Sequence, residues 1–354
     1  MKKALKFSTL AVAAVTATLI GTGAAQADPT SSPRPINAVG SDTTQDVWNG
    51  LSNLDTNVAS WNAFLGTSTT INLDASTTIN RPAGSGAGVQ ALSAAVDPAW
   101  TGGYPGPSGN VNVQGKISFA RSSSAAAKNG TDLTYLPFAR DAVSLAVKTT
   151  AGPVSLTTAQ LQGIYNCTVT TITAGTSTVT VHPKLPQANS GTRAFFLSAL
   201  GITTPGSCVT TVGAENDGAQ LTTAGDVIPF SAAQWIAQRN NRITNTTAGL
   251  ELATLNGQAP TTGTAPSLAP GALYGSTTTE PTSGVGTFAR DTYNVVKTSE
   301  YTNSTTLATT TLKTNLATTN AQNAIKSYGF QNLSYVGNPT IGAGLAAHQS
   351  AYKH

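Results

Sequence analysis

The sequence predicts an α/β protein of two lobes that are joined by two strands. Its 354 residues are enough for two domains of ordinary size. Hydroxyl- and glycine-rich turns recur between a predicted strand and a predicted helix, as in an α/β fold. The string FARD occurs at 138–141 and again at 288–291, each time entering a β-branched strand. Two such strands, about 150 residues apart, would carry the chain between lobes and back; chance repetition is the alternative.

The first 27 residues have the pattern of a cleavable signal peptide. MKKALK is basic, the next 19 residues are small and apolar, and AQA before Asp28 fits an A-x-A cleavage site. We expect a secreted protein. No cysteine lies near the cleavage site, which argues against a lipid anchor. Residues 28–35 (DPTSSPRP) are expected to be a disordered lead-in.

The composition excludes several classes of protein. Only 10% of residues are charged and 39% are hydrophobic. Loss of the three lysines of the leader lowers the net charge from +4 to +1, which disfavours nucleic-acid binding. No apolar run outside the leader is long enough to cross a membrane. The hydrophobic fraction and small net charge also argue against disorder.

The first lobe is predicted to span 36–138 plus 290–354. Its predicted elements recur in the order strand, turn, helix. Residues 36–51 indicate a strand, a turn and a helix, because Val47, Trp48 and Leu51 recur at helical spacing. The same order is predicted for 79–96. A third strand at 116–126 ends in a serine-rich turn, and a C-terminal helix lies within 321–330.

The second lobe is predicted to span 142–287. It contains a strand within 135–148, a helix within 154–166 and a strand at 177–186. A turn then enters a helix at 187–201, whose apolar face includes Phe195, Phe196 and Leu200. A strand and helix follow at 225–240, residues 254–286 are mostly loop, and a strand at 288–297 returns the chain to the first lobe.

Cys167 and Cys208 are the two cysteines of the chain. In an exported protein a pair of cysteines predicts a disulfide. Two unrelated free thiols are the alternative.

Four polar turns, at 40–44, 84–88, 121–124 and 190–193, are candidates for a binding site. Glycine lets a ligand approach the backbone, and a helix N-terminus supplies unsatisfied N–H groups that attract anions. The alternative is that each Ser or Thr merely caps a helix. The candidate ligand-binding residues in these turns are Ser41, Asp42, Thr43, Ser85, Gly86, Arg121, Ser122, Ser123, Ser190, Gly191, Thr192 and Arg193.

Enzyme chemistry has little support in the sequence. His182, His348 and His354 are the three histidines, and no zinc, P-loop or G-x-S-x-G pattern occurs. We expect no metal and no cofactor. A hydrolase that uses His182 as its base remains an alternative.

In order along nearly the whole mature chain, the motifs resemble those of PstS-type phosphate-binding proteins, the substrate-binding components of phosphate ABC transporters. NSGTRAFF is the most specific of them. The resemblance implies a type II periplasmic-binding-protein fold, with a two-strand hinge and a ligand cleft between the lobes. The other matching segments are AVGSDTTQDVW, GSGAGV, ISFARSSS, LTTAQLQGIY, DVIPFSAAQW and FARDTYNVV.

By position, the resemblance implies ligand contacts from Asp42 or Thr43, Ser85 or Gly86, Ser122, and the run 190–192. Two positions depart from the family pattern. Ser123 stands where the family has an acidic residue, and Pro186 stands where it has an arginine. Arg121 and Arg193 are the candidate replacements for that arginine.

The expected function is capture of a small oxyanion, phosphate first, by a non-enzymatic secreted monomer that serves an ABC permease. One alternative is a protein of the same fold used for adhesion or cell-wall association, which a closed-over cleft would favour. The other is the secreted hydrolase.

Overall fold

The computed structural model describes residues 28–29, 34–126, 129–303, 306–341 and 344–354. The predicted signal peptide lies outside the described residues. The strands of the described residues are β1 (Ile36–Gly40), β2 (Val58–Ser60), β3 (Thr70–Asn72), β4 (Thr78–Asn80), β5 (Tyr104–Gly106), β6 (Gly109–Val111), β7 (Phe119–Ser122), β8 (Leu133–Lys148), β9 (Ser155–Leu156), β10 (Thr171–Ala174), β11 (Ser177–Thr180), β12 (His182–Leu185), β13 (Thr210–Thr211), β14 (Asp226–Ser231), β15 (Leu250–Leu252), β16 (Thr254–Leu255), β17 (Thr261–Thr262), β18 (Ala269–Pro270), β19 (Ala289–Lys297) and β20 (Gln349–Ser350).

Helices lie between some of these strands, and short 3₁₀ turns occur at 218–220, 272–274, 315–317 and 345–348. The α-helices of the same residues are α1 (Gln45–Leu51), α2 (Ser85–Val96), α3 (Thr158–Tyr165), α4 (Gly191–Leu200), α5 (Ala232–Arg239), α6 (Thr298–Asn303), α7 (Leu307–Lys313) and α8 (Thr319–Ser327).

One mixed sheet runs through the whole molecule. Its strand order is β13-β12-β14-β8-β19-β7-β1-β2, and β15 and β20 also pair with β8. The outer strands of each half are parallel, whereas β8 is antiparallel to β14 and β19, and β19 is antiparallel to β7. The predicted α/β fold class is confirmed.

The two strands that carry the FARD repeat lie side by side, as the sequence predicts. β8 and β19 are antiparallel, with Arg290 opposite Asp141 and Asp291 opposite Arg140. Each arginine pairs with the aspartate across from it: Arg140 Nε lies 2.6 Å from Asp291 Oδ1, and Arg290 Nη2 lies 2.8 Å from Asp141 Oδ2. All four side chains are almost fully buried. Two buried ion pairs are therefore formed across the strands.

The hydrophobic core of the first half covers both faces of the sheet. Side chains alternate between faces along a strand, so Ala38 and Phe119 pack with α1, α7 and α8, whereas Val39 and Ala120 pack with α2. The core around α3 and α4 is built from residues between 142 and 288. The core around α3 and α4 is thus largely separate from the cores on the other side of the FARD strands.

Local features outside the sheet bear on two further predictions. Cys167 and Cys208 are bonded, as predicted. Residues 28–35 are not a free lead-in at their ends, because Asp28 forms an ion pair with Arg81 (2.6 Å) and Arg34 donates to the carbonyl of Val58 (2.6 Å). The two ends of this segment are therefore bound to the first half. Among the described residues, no helix is both long and apolar enough to cross a membrane.

We predict that the Arg140–Asp291 pair is the more costly of two ion pairs to break. In Asp291→Ala the buried Arg140 guanidinium loses its counter-charge, and the free energy of unfolding falls by about 3–5 kcal/mol. The control is Lys116→Ala, which breaks the 2.5 Å pair with Asp74; the Lys116 side chain is 41% exposed. That change costs under about 1 kcal/mol. Urea denaturation measures both, and equal losses would contradict the prediction.

Candidate functional site

All four polar turns come together at one end of the sheet. β1 and β7 are parallel neighbours, so the turns after them lie side by side, and the N–H of Ser41 donates to the carbonyl of Arg121 (3.0 Å). Gly40 has a φ of 113°, and a Cβ added to Gly88 would lie 2.4 Å from its Cα. Glycine at both positions lets α2 pack directly against the end of β1.

The turn before α4 closes on the second and third turns. Ser123 donates its N–H to Ser85 Oγ (3.0 Å), and the two hydroxyl oxygens are 3.2 Å apart. A Cβ added to Gly191 would lie 2.3 Å from Ser123 Oγ and 2.4 Å from Ser85 Oγ. Three turns from distant parts of the chain are thus in direct contact, with no side chain at Gly191 to separate them.

A second set of contacts joins the first turn to α4. Thr43 Oγ1 and Thr192 Oγ1 are 3.2 Å apart. Arg290 Nη2 donates to Thr192 Oγ1 (3.0 Å) and lies 3.4 Å from Thr43 Oγ1. Ser190 caps α4, as predicted, because its Oγ accepts the N–H of Arg193 (2.9 Å). Thr43, Ser190, Thr192 and Arg290 are called the donor cluster below.

The donor cluster surrounds a carboxylate that the sequence analysis missed. Glu215 is 2% exposed. Its Oε2 accepts the Ser190 hydroxyl and the N–H of Thr192 (3.0 Å), and its Oε1 lies 3.4 Å from Thr43 Oγ1. Glu215 lies in a loop without periodicity, before the turn residues Asn-Asp-Gly. The available signal was a glutamate in a chain with few charges.

Glu215 and Asp42 are neighbouring buried carboxyls whose pKa values shift in opposite directions. Burial raises the pKa of Asp42 well above its usual range, and the negative charge of Glu215 raises it further. Burial also opposes ionisation of Glu215, but the hydrogen bond with Asp42, the charge of Arg290 and the Ser190 and Thr192 donors together lower its pKa. Of the two carboxyls, Asp42 is the one that burial and its neighbour make harder to ionise.

The hydrogen bonds of the Arg121 side chain are made outside the donor cluster. Its fully buried guanidinium donates to the carbonyls of Ala38 (3.0 Å) and Trp61 (2.6 Å), and it also lies near those of Gly40 and Ser41. These contacts tie the strand ends together. Arg290 instead supplies the positive charge at the cluster. The same guanidinium also pairs with Asp141 across the FARD strands.

Several other candidates also make local contacts instead of facing Glu215. Arg193 Nη1 donates to the carbonyl of Pro186 (2.9 Å) and to Thr211 Oγ1 (3.1 Å). Ser122 Oγ donates to the carbonyl of Ser124 (2.7 Å). The N–H of Gly86 donates to the carbonyl of Asn189 (3.1 Å). Ser41 Oγ is buried without a hydrogen-bond partner.

Helix capping does not account for the turns as a group. The N-caps of α1 and α2 are Thr44 and Gly84, and neither makes a side-chain cap bond. The expected helix after the turn at 121–124 was wrong: the described residues between β7 and β8 contain none. Ser190 is the one capping side chain of the four turns, and it binds Glu215 as well.

Two cavities flank the donor cluster. One of about 280 Å³ is lined by Ser85, Gly86, Ser122, Ser190 and Gly191, among others. The other, of about 420 Å³, is lined by residues that include Asp42, Asp46, Glu215, Gln234 and Gln238. Ser190 lines the first cavity and Glu215 the second, and the two side chains are hydrogen-bonded to each other.

The three histidines contact acidic residues elsewhere in the structure. His182 lies 3.6 Å from Asp226, and its side chain is 48% exposed. His348 bonds to Glu280 (2.5 Å), and His354 bonds to Asp97 (2.7 Å). Within the part of the chain that the structure describes, no group of His, Cys, Asp or Glu side chains is suited to a metal ion.

We predict that Asp46, beside the donor cluster, makes the protein less stable as pH rises. Burial raises the pKa of Asp46 to about 6, against opposing effects from Gln234 and Arg121. A carboxyl whose pKa is higher in the folded state stabilises fully below its unfolded pKa, and that stability is lost as pH rises through about 6. The loss is on the order of 3 kcal/mol.

Asp46→Asn removes this group's titration. Urea denaturation of both proteins at about pH 4 and about pH 7.5 measures the change in unfolding free energy for each. We expect the wild type to lose more stability across this interval than the variant. Equal losses would contradict the assignment. The difference between the two losses isolates Asp46, because all other titratable groups are present in both proteins.

Comparison with known proteins agrees with this architecture. A sequence model described as the PBP superfamily domain matches residues 49–310. No curated relative matches the sequence. An ABC-type phosphate transport receptor from Vibrio cholerae has a similar fold, with a TM-score of 0.50 and 16% identity over 84% of this chain and 99% of that one.

Two further solved structures share the fold. A Clostridium perfringens protein solved with bound phosphate has a TM-score of 0.54 and 12% identity, over 84% of this chain and 99% of that one. A DING protein has a TM-score of 0.51 and 14% identity, over 89% and 100%. These likenesses, with the family match, confirm the predicted type II periplasmic-binding-protein fold. The chain belongs to the PBP superfamily.

Proposed function

We propose that the protein is a non-enzymatic solute-binding protein that captures a small oxyanion. One observation carries this proposal: a buried carboxylate is held by two hydroxyls and a helix N–H, beside an arginine that bonds to two of those residues. Desolvated oxyanions need several donors of this kind at once. The donors come from both predicted lobes, so hinge motion at β8 and β19 would open and close the site.

Phosphate is the first candidate ligand. The names of the Vibrio and Clostridium proteins refer to phosphate transport and to bound phosphate, and the motifs of the present chain resemble the same family. At the two positions that depart from the family pattern, other residues of this chain supply the missing charged groups. Arg290 supplies a positive charge that Pro186 lacks, and Asp42 supplies an acidic group that Ser123 lacks.

We further propose that the protein acts outside the cell and delivers its ligand to an ABC permease. Secretion is supported by the leader pattern of residues 1–27 and by the bonded cysteines. The lobe limits of 36–138 plus 290–354 and of 142–287 are part of this proposal, because they place the donor cluster between the lobes.

A second function has one observation in its favour. Glu215 closes over the cleft, and a closed-over cleft suits a protein that kept the fold for adhesion or cell-wall association. The hydrolase alternative gains no such support. Among the described residues, no histidine is hydrogen-bonded to the side chain of a serine, threonine or cysteine.

Calorimetric titration of the ligand-stripped mature chain with phosphate and with sulfate tests the proposal. We expect saturable binding of one anion per chain, within concentrations up to the millimolar range. In Thr43→Val the hydroxyl that donates at the carboxylate position is lost, and since hydrogen bonds to charged groups contribute about 1.5–3 kcal/mol, affinity falls about 10- to 100-fold.

The matched control is Thr311→Val. Thr311 is also buried and also donates its hydroxyl to a carboxylate, that of Asp55 (2.7 Å), but it lies outside the donor cluster. Its anion affinity is expected to equal that of the wild type. The proposal fails if no oxyanion binds, or if the two threonine variants bind equally well while both are folded.

A further inference from the structure

The donor cluster already has an anion bound to it, and that anion is part of the chain. A carboxylate is a small oxyanion, and Glu215 takes the bonds that such a ligand would need. The N–H of Thr192 and the hydroxyl of Ser190 have one hydrogen each. Both are directed at Glu215 Oε2, so neither is available to a second acceptor while Glu215 stays in place.

The loop that carries Glu215 is built to keep it there. Asn216 has a φ of 61°, a left-handed conformation that asparagine tolerates better than most residues. Its Nδ2 donates to Asp42 Oδ1 (3.1 Å), its Oδ1 accepts the N–H of Ser231 (2.9 Å), and its carbonyl accepts Gln238 Nε2 (2.8 Å). The three hydrogen bonds of Asn216 therefore fix the backbone next to Glu215.

The contacts of Glu215 also join the two predicted lobes. Asp42 and Thr43 belong to the first lobe, whereas Ser190, Thr192 and Glu215 itself belong to the second. An anion bound between lobes stabilises the closed form through contacts made only in that form. Glu215 makes the same kind of contacts, and Gly191 is already pressed against the serines of the first lobe.

We propose that Glu215 is the internal competitor of the oxyanion: its carboxylate occupies the anion position, holds the cleft closed without a ligand, and sets the affinity for any external anion. This rests on the proposed function. A free phosphate binds after Glu215 has left the donor cluster, because the single-hydrogen donors cannot serve both and the two negative charges repel. The measured affinity is then reduced by the fraction of molecules in which Glu215 is displaced.

The test compares four proteins by calorimetric titration with inorganic phosphate and with sulfate. In Glu215→Ala the internal anion is removed, and we expect affinity to rise about tenfold or more. Glu215→Gln keeps the size but not the charge, so its affinity lies between those of wild type and Glu215→Ala. It also serves if the alanine variant does not fold. The control is Asp217→Asn, which removes a negative charge two residues away and leaves affinity unchanged.

Small-angle X-ray scattering tests the second part of the proposal without any ligand. We expect ligand-free Glu215→Ala to have a larger radius of gyration than ligand-free wild type, and phosphate to restore the compact form. Equal radii in the two ligand-free proteins would overturn the claim that Glu215 holds the cleft closed.

The outcomes separate the two proposals. If wild type binds an oxyanion and neither Glu215 variant binds it more tightly, Glu215 is no competitor, and the proposed function stands. If affinity falls in both variants, Glu215 is a ligand-binding residue, which also overturns the inference. If none of the four proteins binds phosphate or sulfate, the proposed function fails, and the inference fails with it.

Discussion

The antiparallel pairing of β8 with β19 is the constraint on which the rest of the structure depends. Two arginines and two aspartates face each other across these strands and neutralise each other where no water reaches them. Buried charges are tolerated only when they are paired and hydrogen-bonded. The pairs therefore fix the register of two long strands that run between the two halves, and with it the relative position of their cores.

The hinge and the donor cluster are one continuous network. Asp141 accepts Arg290 on one oxygen, and on the other it accepts the Ser231 hydroxyl (2.9 Å) and the N–H of Ala233 (3.1 Å) at the start of α5. The Arg290 guanidinium, bonded to Asp141, also donates a hydrogen bond to Thr192 Oγ1. A residue that neutralises a strand pair thus also presents its charge to the site, which couples the geometry of the cleft to that of the hinge.

Features that depend on residues close together in the sequence could be predicted, whereas most of those that depend on distant residues could not. Strand and helix periodicity is local, so the elements were found, and the FARD repeat revealed one long-range pairing. The donors Ser190 and Thr192 could be predicted because their turn opens an amphipathic helix. Glu215 could not, because its partner Thr43 lies 172 positions away and the connecting loop has no pattern. Arg121 was misplaced because a hydroxyl-rich neighbourhood does not show which way a strand side chain points.

The loop that holds Glu215 separates anchoring from recognition. Asn216 supplies the bonds that keep the backbone in place, whereas the side chain at 215 supplies the contact with the donor cluster. Substitution at 215 thus leaves those anchoring bonds in place. If Glu215 is the internal competitor that we propose, the site is modular in evolutionary terms: one codon converts a self-occupied cleft into an open receptor, or back, while the scaffold around it stays unchanged.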